Sequence, residues 1–130
     1  MLINKIRTRI ARHLGITSIL WNYRQNGVYC FNFHRIGEAR TCKYDPNVFS
    51  CNTEDFKRHL HFIQNNFEII NQNQFIGIIQ SEQKVTKQLA YITFDDGYLD
   101  NYELAFPILT QMNIPATFFV ATGLIESKVM

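Results

Sequence analysis

The stretch Tyr91-Ile92-Thr93-Phe94-Asp95-Asp96-Gly97-Tyr98 decides how this chain is read. An apolar, β-prone run delivers two adjacent carboxylates and then a glycine, the pattern of a buried strand that ends at an acidic turn. Neighbouring residues on a regular strand point to opposite faces, so both carboxylates serve one site only where the strand gives way to a turn. Gly97 supplies that freedom, because it takes backbone angles closed to other residues. Two close carboxylates push one pKa upward, and a divalent cation removes the repulsion. One Asp then ligates metal while the other accepts a proton from water. A plainer reading makes one Asp a helix cap and leaves the other solvated; the pair alone does not separate the two.

Working outward, strand-like and helix-like segments alternate. Val28 to His34 reads as a strand, and Asp45 to Asn52 as a Pro-containing loop. Thr53, followed by Glu54 and Asp55, is placed to cap a helix carrying Phe56, Leu60 and Ile63 on one face. Phe67 to Ile70 is a short strand, Asn71 to Gln80 a short helix, and Gln88 to Phe94 the strand that leads into the acidic turn. Ala105, Ile108, Leu109 and Met112 then recur at helical spacing. Pro107 lies among them, so the regular helix either begins near that residue or is kinked there. Ala116 to Ala121 is a last strand. Such alternation predicts a parallel β/α architecture, in which polar residues at the carboxyl ends of strands face the functional mouth.

The chain has 130 residues, 46% apolar and 14% aromatic, enough for an ordinary globular core. A net charge of +2 argues against a general nucleic-acid binder. The distribution is uneven. Residues 1–44 hold eight Lys or Arg against one acidic residue, and residues 45–130 hold five against ten. Cys30, Cys42 and Cys51 are an odd number without a C-x-x-C pair, which suits a reducing compartment.

Residues 1–26 read as a basic amphipathic segment preceding the domain at 27–130. Ile3, Ile6, Ile10 and Leu14 recur at helical spacing, with Lys5, Arg9, Arg12 and His13 on other faces. Packing on the domain is favoured over peripheral contact with anionic lipid through residues 1–21, where Trp21 would help as an anchor. Arg7, Arg9 and Arg12 break up any export signal, and no stretch approaches the roughly 20 apolar residues of a membrane span. The expected location is cytoplasmic, or peripheral at the inner membrane face.

Thr93-Phe-Asp-Asp-Gly97, Phe106-Pro-Ile-Leu109 and Asn113-Ile-Pro-Ala-Thr-Phe-Phe-Val120 together resemble the polysaccharide deacetylase family, the NodB-homology domain. Phe33-His-Arg-Ile-Gly37 is similar to a Tyr-His-Arg-Val segment on the first strand of these proteins. The resemblance covers about residues 28–125. It implies a distorted (β/α) barrel that removes N-acetyl groups from a glycan or glycan precursor with a divalent metal, usually zinc. By motif position, Asp95 would be the general base and Asp96 a metal ligand. Thr93 and Gly97 would shape the turn.

His34 ends the first strand and would face the same mouth as Asp95, with a substrate-contacting or supporting role weighed against a structural one; Tyr98 is a further candidate of that kind. His13, His59 and His61 are weaker candidates. The family's second motif, His-Ser/Thr-x-x-His, supplies two metal ligands after the strand at Phe118 and does not appear before Met130. Four strands also do not close a barrel. The expectation is therefore the first half of such a domain, inactive by itself. A non-catalytic binding or assembly module of the same fold is the alternative. A magnesium-dependent phosphoryl-transfer enzyme is weaker, since no phosphate-cradling glycine loop is present.

Overall fold

The computed structural model describes residues 21, 23–42, 46–82 and 84–124. The basic segment at 1–20 lies outside the described residues. Among the described residues, six strands appear in chain order: β1 (Gly27–Phe33), β2 (Arg35–Ile36), β3 (Phe49–Cys51), β4 (Glu68–Ile70), β5 (Gln88–Phe94) and β6 (Thr117–Phe118). β5 is central and parallel to its neighbours. It pairs with β1 along its whole length, from Gly27↔Gln88 to Phe33↔Phe94. Its other edge is shared, with β4 beside Leu89 to Tyr91 and β6 beside Thr93 and Phe94. β2 and β3 form a separate parallel pair.

The α-helices that connect these strands among the described residues are α1 (Thr53–Asn66), α2 (Gln72–Gln80) and α3 (Phe106–Gln111). The larger core joins Phe56, Leu60 and Ile63 of α1 and Ile108 and Leu109 of α3 to Phe33, Ala90, Ile92 and Phe94. Each large side chain fully buried there contributes on the order of 2 kcal/mol. Strand alternation puts Leu89 and Tyr91 on the opposite face. There they pack with Ile70 and with Phe75 and Ile78 of α2, and the Phe75 and Tyr91 rings stack 4.3 Å apart. This follows from the strand order: the chain passes β5 to reach β4 and then turns back, and right-handed crossovers in opposed directions place their helices on opposite faces. α2 covers that second face at the N-terminal half of β5. Near the carboxyl end the same face carries Asn32 and Thr93 and has no helix against it in either core cluster.

Several boundaries differ from the sequence reading. Asn52, not Thr53, caps α1: its side chain accepts from the Asp55 N–H at 2.8 Å, and Thr53 is the first helical residue. The expected loop at 45–52 contains β3, because buried Ile36 pairs with Cys51 there. The last strand is only Thr117–Phe118. Pro107 leaves its mark as the sequence required. Asn101–Ala105 forms a π-helical turn, the Phe106 N–H donates to the Asn101 carbonyl, and the regular α3 begins with Pro107 in its first turn, where a missing donor costs little. Trp21 packs on the domain against Phe62 and Phe67, and its indole N–H donates to Asn66 Oδ1 at 3.1 Å.

Candidate functional site

The acidic turn sits where β5 ends. The Asp95 N–H still donates to the Phe33 carbonyl at 3.0 Å, so its backbone continues the β1 ladder by one bond. Asp96 and Gly97 then both take φ of +69°, in the left-handed region. Gly adopts that conformation freely and Asp tolerates it at some strain. A Cβ on Gly97 would come within 3.0 Å of Val120 Cγ1, so the segment just after β6 closes against the turn. Two successive left-handed residues thus separate the carboxylates by conformation: Asp95 keeps the strand's side-chain direction and Asp96 is exposed.

Asp95 does not stand alone. Asn32, opposite Thr93 on β1, donates from Nδ2 to Asp95 Oδ2 at 2.6 Å. Thr93, 7% exposed, donates its hydroxyl to Asn32 Oδ1 at 2.8 Å. His34 Nε2 lies 3.7 Å from the same Asp95 oxygen. The structure therefore brings together three of the residues singled out from sequence, Thr93, Asp95 and His34. The Thr93 hydroxyl thus acts on Asn32. Ser50 Oγ accepts the His34 N–H at 2.9 Å, which fixes the backbone where β1 gives way to β2.

Behind the turn, Asp100 is 8% exposed and takes two hydrogen bonds from β2: Arg35 Nε at 2.7 Å and the Ile36 N–H at 3.1 Å. Arg35 lies over Phe49 at 4.3 Å and Tyr98 at 5.0 Å, and donates to Cys42 Sγ at 3.2 Å. Burial opposes its charge, but hydrogen bonds to Asp100 and Cys42 and the Asp100 charge outweigh that, so the guanidinium pKa stands above its ordinary value. Tyr98 is thus part of the packing around Arg35. Asn32 and Asp100 were missed by the sequence reading. Asn32 had a signal, a polar residue at the outward-alternating position of an aromatic strand; Asp100 had none, since its partners lie some 65 residues away.

The donor set does not complete a metal site. Among the described residues, no group of three or more His, Cys, Asp or Glu is placed to hold an ion. A zinc site takes three or four protein ligands. His59 and His61 are exposed on α1.

A parallel sheet with a positioned carboxylate at the carboxyl end of its central strand defines an α/β domain whose acidic turn lies at the end where such folds place their sites. Comparison with known proteins gives the particular kind. Residues 82–129 match the family model for polysaccharide deacetylase. The chain is 27% identical over 111 residues to the poly-beta-1,6-N-acetyl-D-glucosamine N-deacetylase of Staphylococcus aureus (strain MSSA476), covering 78% of this chain and 38% of that protein. YxkH of Bacillus subtilis (strain 168) is 29% identical over 68 residues, 52% of this chain and 24% of YxkH. Among solved structures, IcaB from Ammonifex degensii aligns with a TM-score of 0.67 at 23% identity, over 79% of this chain and 42% of that one. These findings agree with the resemblance read from the sequence: the matching family model and the relatives are polysaccharide deacetylases, and the fold is similar to part of their NodB-type domain. The chain spans well under half the length of these relatives.

Proposed function

We propose that this chain supplies the acidic half of a carbohydrate N-deacetylase, a hydrolase acting on the carbon–nitrogen bond of an acetamido sugar. The observation that carries the reading is Asp95, held by Asn32 at the open carboxyl end of β5. Asp95 is the general base. Water adds to the acetamide carbonyl carbon as Asp95 takes the water's proton. The nitrogen takes up a proton as the C–N bond breaks, Asp95 returns to its carboxylate, and acetate and a free amine result. Asp96 is one ligand to a divalent metal, zinc by the family resemblance. Its remaining ligands must come from outside the described residues, so the reaction requires more than the site seen here. The name of the staphylococcal relative suggests β-1,6-linked N-acetylglucosamine as the first substrate to try.

Acetate release from such oligomers by protein carrying this chain, with zinc supplied, is the test. Asp95→Asn should lower the rate by at least about 100-fold, in line with loss of a general base. Turnover that survives Asp95→Asn removes the assignment. Stoichiometric zinc bound by the 130-residue chain alone, and lost on Asp96→Ala, would refute the incompleteness of the metal site.

A second reading, a non-catalytic binding module, draws on one observation. Leu99, Tyr102 and Phe106 are 60%, 71% and 49% exposed at i, i+3 and i+7, and the two rings stack 5.9 Å apart. This apolar stripe is available to a partner element. Protein carrying this chain that binds the same oligomers, with zinc supplied, yet releases no acetate would favour it.

A further inference from the structure

We infer that Asn32 is a positioning residue for Asp95, held in orientation by Thr93; the inference rests on the reading of Asp95 as general base. Asn32 and Thr93 are direct partners across the β1–β5 ladder, and Asp95 is two residues beyond Thr93 on the same face. An ionised carboxylate only accepts hydrogen bonds, so Asn32 must turn its Nδ2 toward Asp95 Oδ2, 2.6 Å away. Its Oδ1 then faces Thr93, whose hydroxyl must donate across 2.8 Å. The charge at one end of the chain of contacts dictates every proton in it. A flipped amide would set its oxygen against the Asp95 carboxylate, acceptor against acceptor. The Asp95 contact therefore fixes the amide's orientation, and the Thr93 hydroxyl, which can donate or accept, donates to match it.

The arrangement is stiff where it needs to be. Thr93 is nearly buried, and its β-branched side chain has few rotamers, so its hydroxyl is a fixed donor. Asn32 is exposed and contributes little to the core. Its amide ties down Oδ2, the oxygen that also lies nearest His34, and leaves Oδ1 to receive a proton. Asn32 acts through Asp95 and lies outside the Asp95-Asp96-Gly97 turn that marks the site.

The test uses the labelled 130-residue chain and reads the Asp95 side-chain angle from three-bond couplings between its backbone N and C′ and its Cγ. Wild type should show a single staggered rotamer. Asn32→Leu, which keeps the shape without the N–H, and Thr93→Val, which keeps the shape without the hydroxyl, should both give averaged couplings. Thr93→Ser should restore the single rotamer. A single Asp95 rotamer surviving in a folded Asn32→Leu chain overturns the inference. If Asn32→Leu fails to fold, the Thr93 pair decides: averaging in Val with order in Ser supports positioning, and identical behaviour in both overturns it. The couplings do not depend on turnover. An ordered rotamer dispersed by these variants, in protein whose acetate release survives Asp95→Asn, therefore upholds the positioning contact while removing the base assignment.

Discussion

Asp100 accepts from Arg35 Nε across 2.7 Å, and this contact joins the start of the helical segment after the acidic turn to a strand 65 residues earlier in the chain. Both side chains are mostly buried, 16% and 11% exposed. Asp100 also receives the Ile36 N–H, so one carboxylate fixes both the side chain and the backbone of β2. The pair holds the β2–β3 layer against the element that carries Asp95 and Asp96.

Removing one partner of a buried ion pair leaves a charge without compensation, which costs about 3 kcal/mol. Asp100→Ala should lower stability by that order in urea unfolding. Asp100→Asn should lower it less, because the amide oxygen still accepts from Ile36. A double change, Arg35→Met with Asp100→Leu, should cost less than the sum of the single losses, since neither charge is then stranded. Additive losses would show that the pair is not coupled.

The first turn of α1 separates two neighbours that look equivalent in sequence. Asn52→Ala should destabilise by about 1 kcal/mol through loss of the cap to the Asp55 N–H. Thr53→Ala should be neutral or gain a few tenths, as Thr53 is already helical and Ala is the better helix former. The reverse order in denaturant midpoints would return the cap to Thr53.

Gly97 combines a φ of +69° with a close approach to Val120. Gly97→Ala should destabilise by about 1–2 kcal/mol, from the left-handed conformation together with the contact. Adding Val120→Ala should recover only the contact part, because the backbone strain remains. Full recovery would assign the whole effect to Val120.

Burial pushes the Cys51 thiol pKa up. The folded state therefore holds its proton to higher pH than the unfolded chain does. Stability from this group is fully present below the unfolded thiol's pKa of about 8.5 and is lost as pH rises through the folded value. Unfolding midpoints should fall more steeply above about pH 8.5 in wild type than in Cys51→Ala. Parallel curves would remove Cys51 as the cause.

The amino-acid sequence by itself determined the order of the main elements, the acidic turn and the family resemblance. Those features are local. Periodicity reveals α1 and α3, an apolar run reveals β5, and Pro107 foretells where the regular helix starts, because it lacks a donor. Motif spacing likewise singled out Asp95 and Gly97 without any knowledge of their neighbours in space. Tertiary structure alone decided which residues surround Asp95. Asn32 meets it because β1 and β5 pair in parallel with Asn32 opposite Thr93, a register fixed by burial of Phe33, Ile92 and Phe94 on the other face. Asp100 meets Arg35 for the same kind of reason, and the short β3 exists because β2 lies beside it. Contacts between residues more than 60 positions apart depend on strand order and crossover direction, which no local pattern encodes.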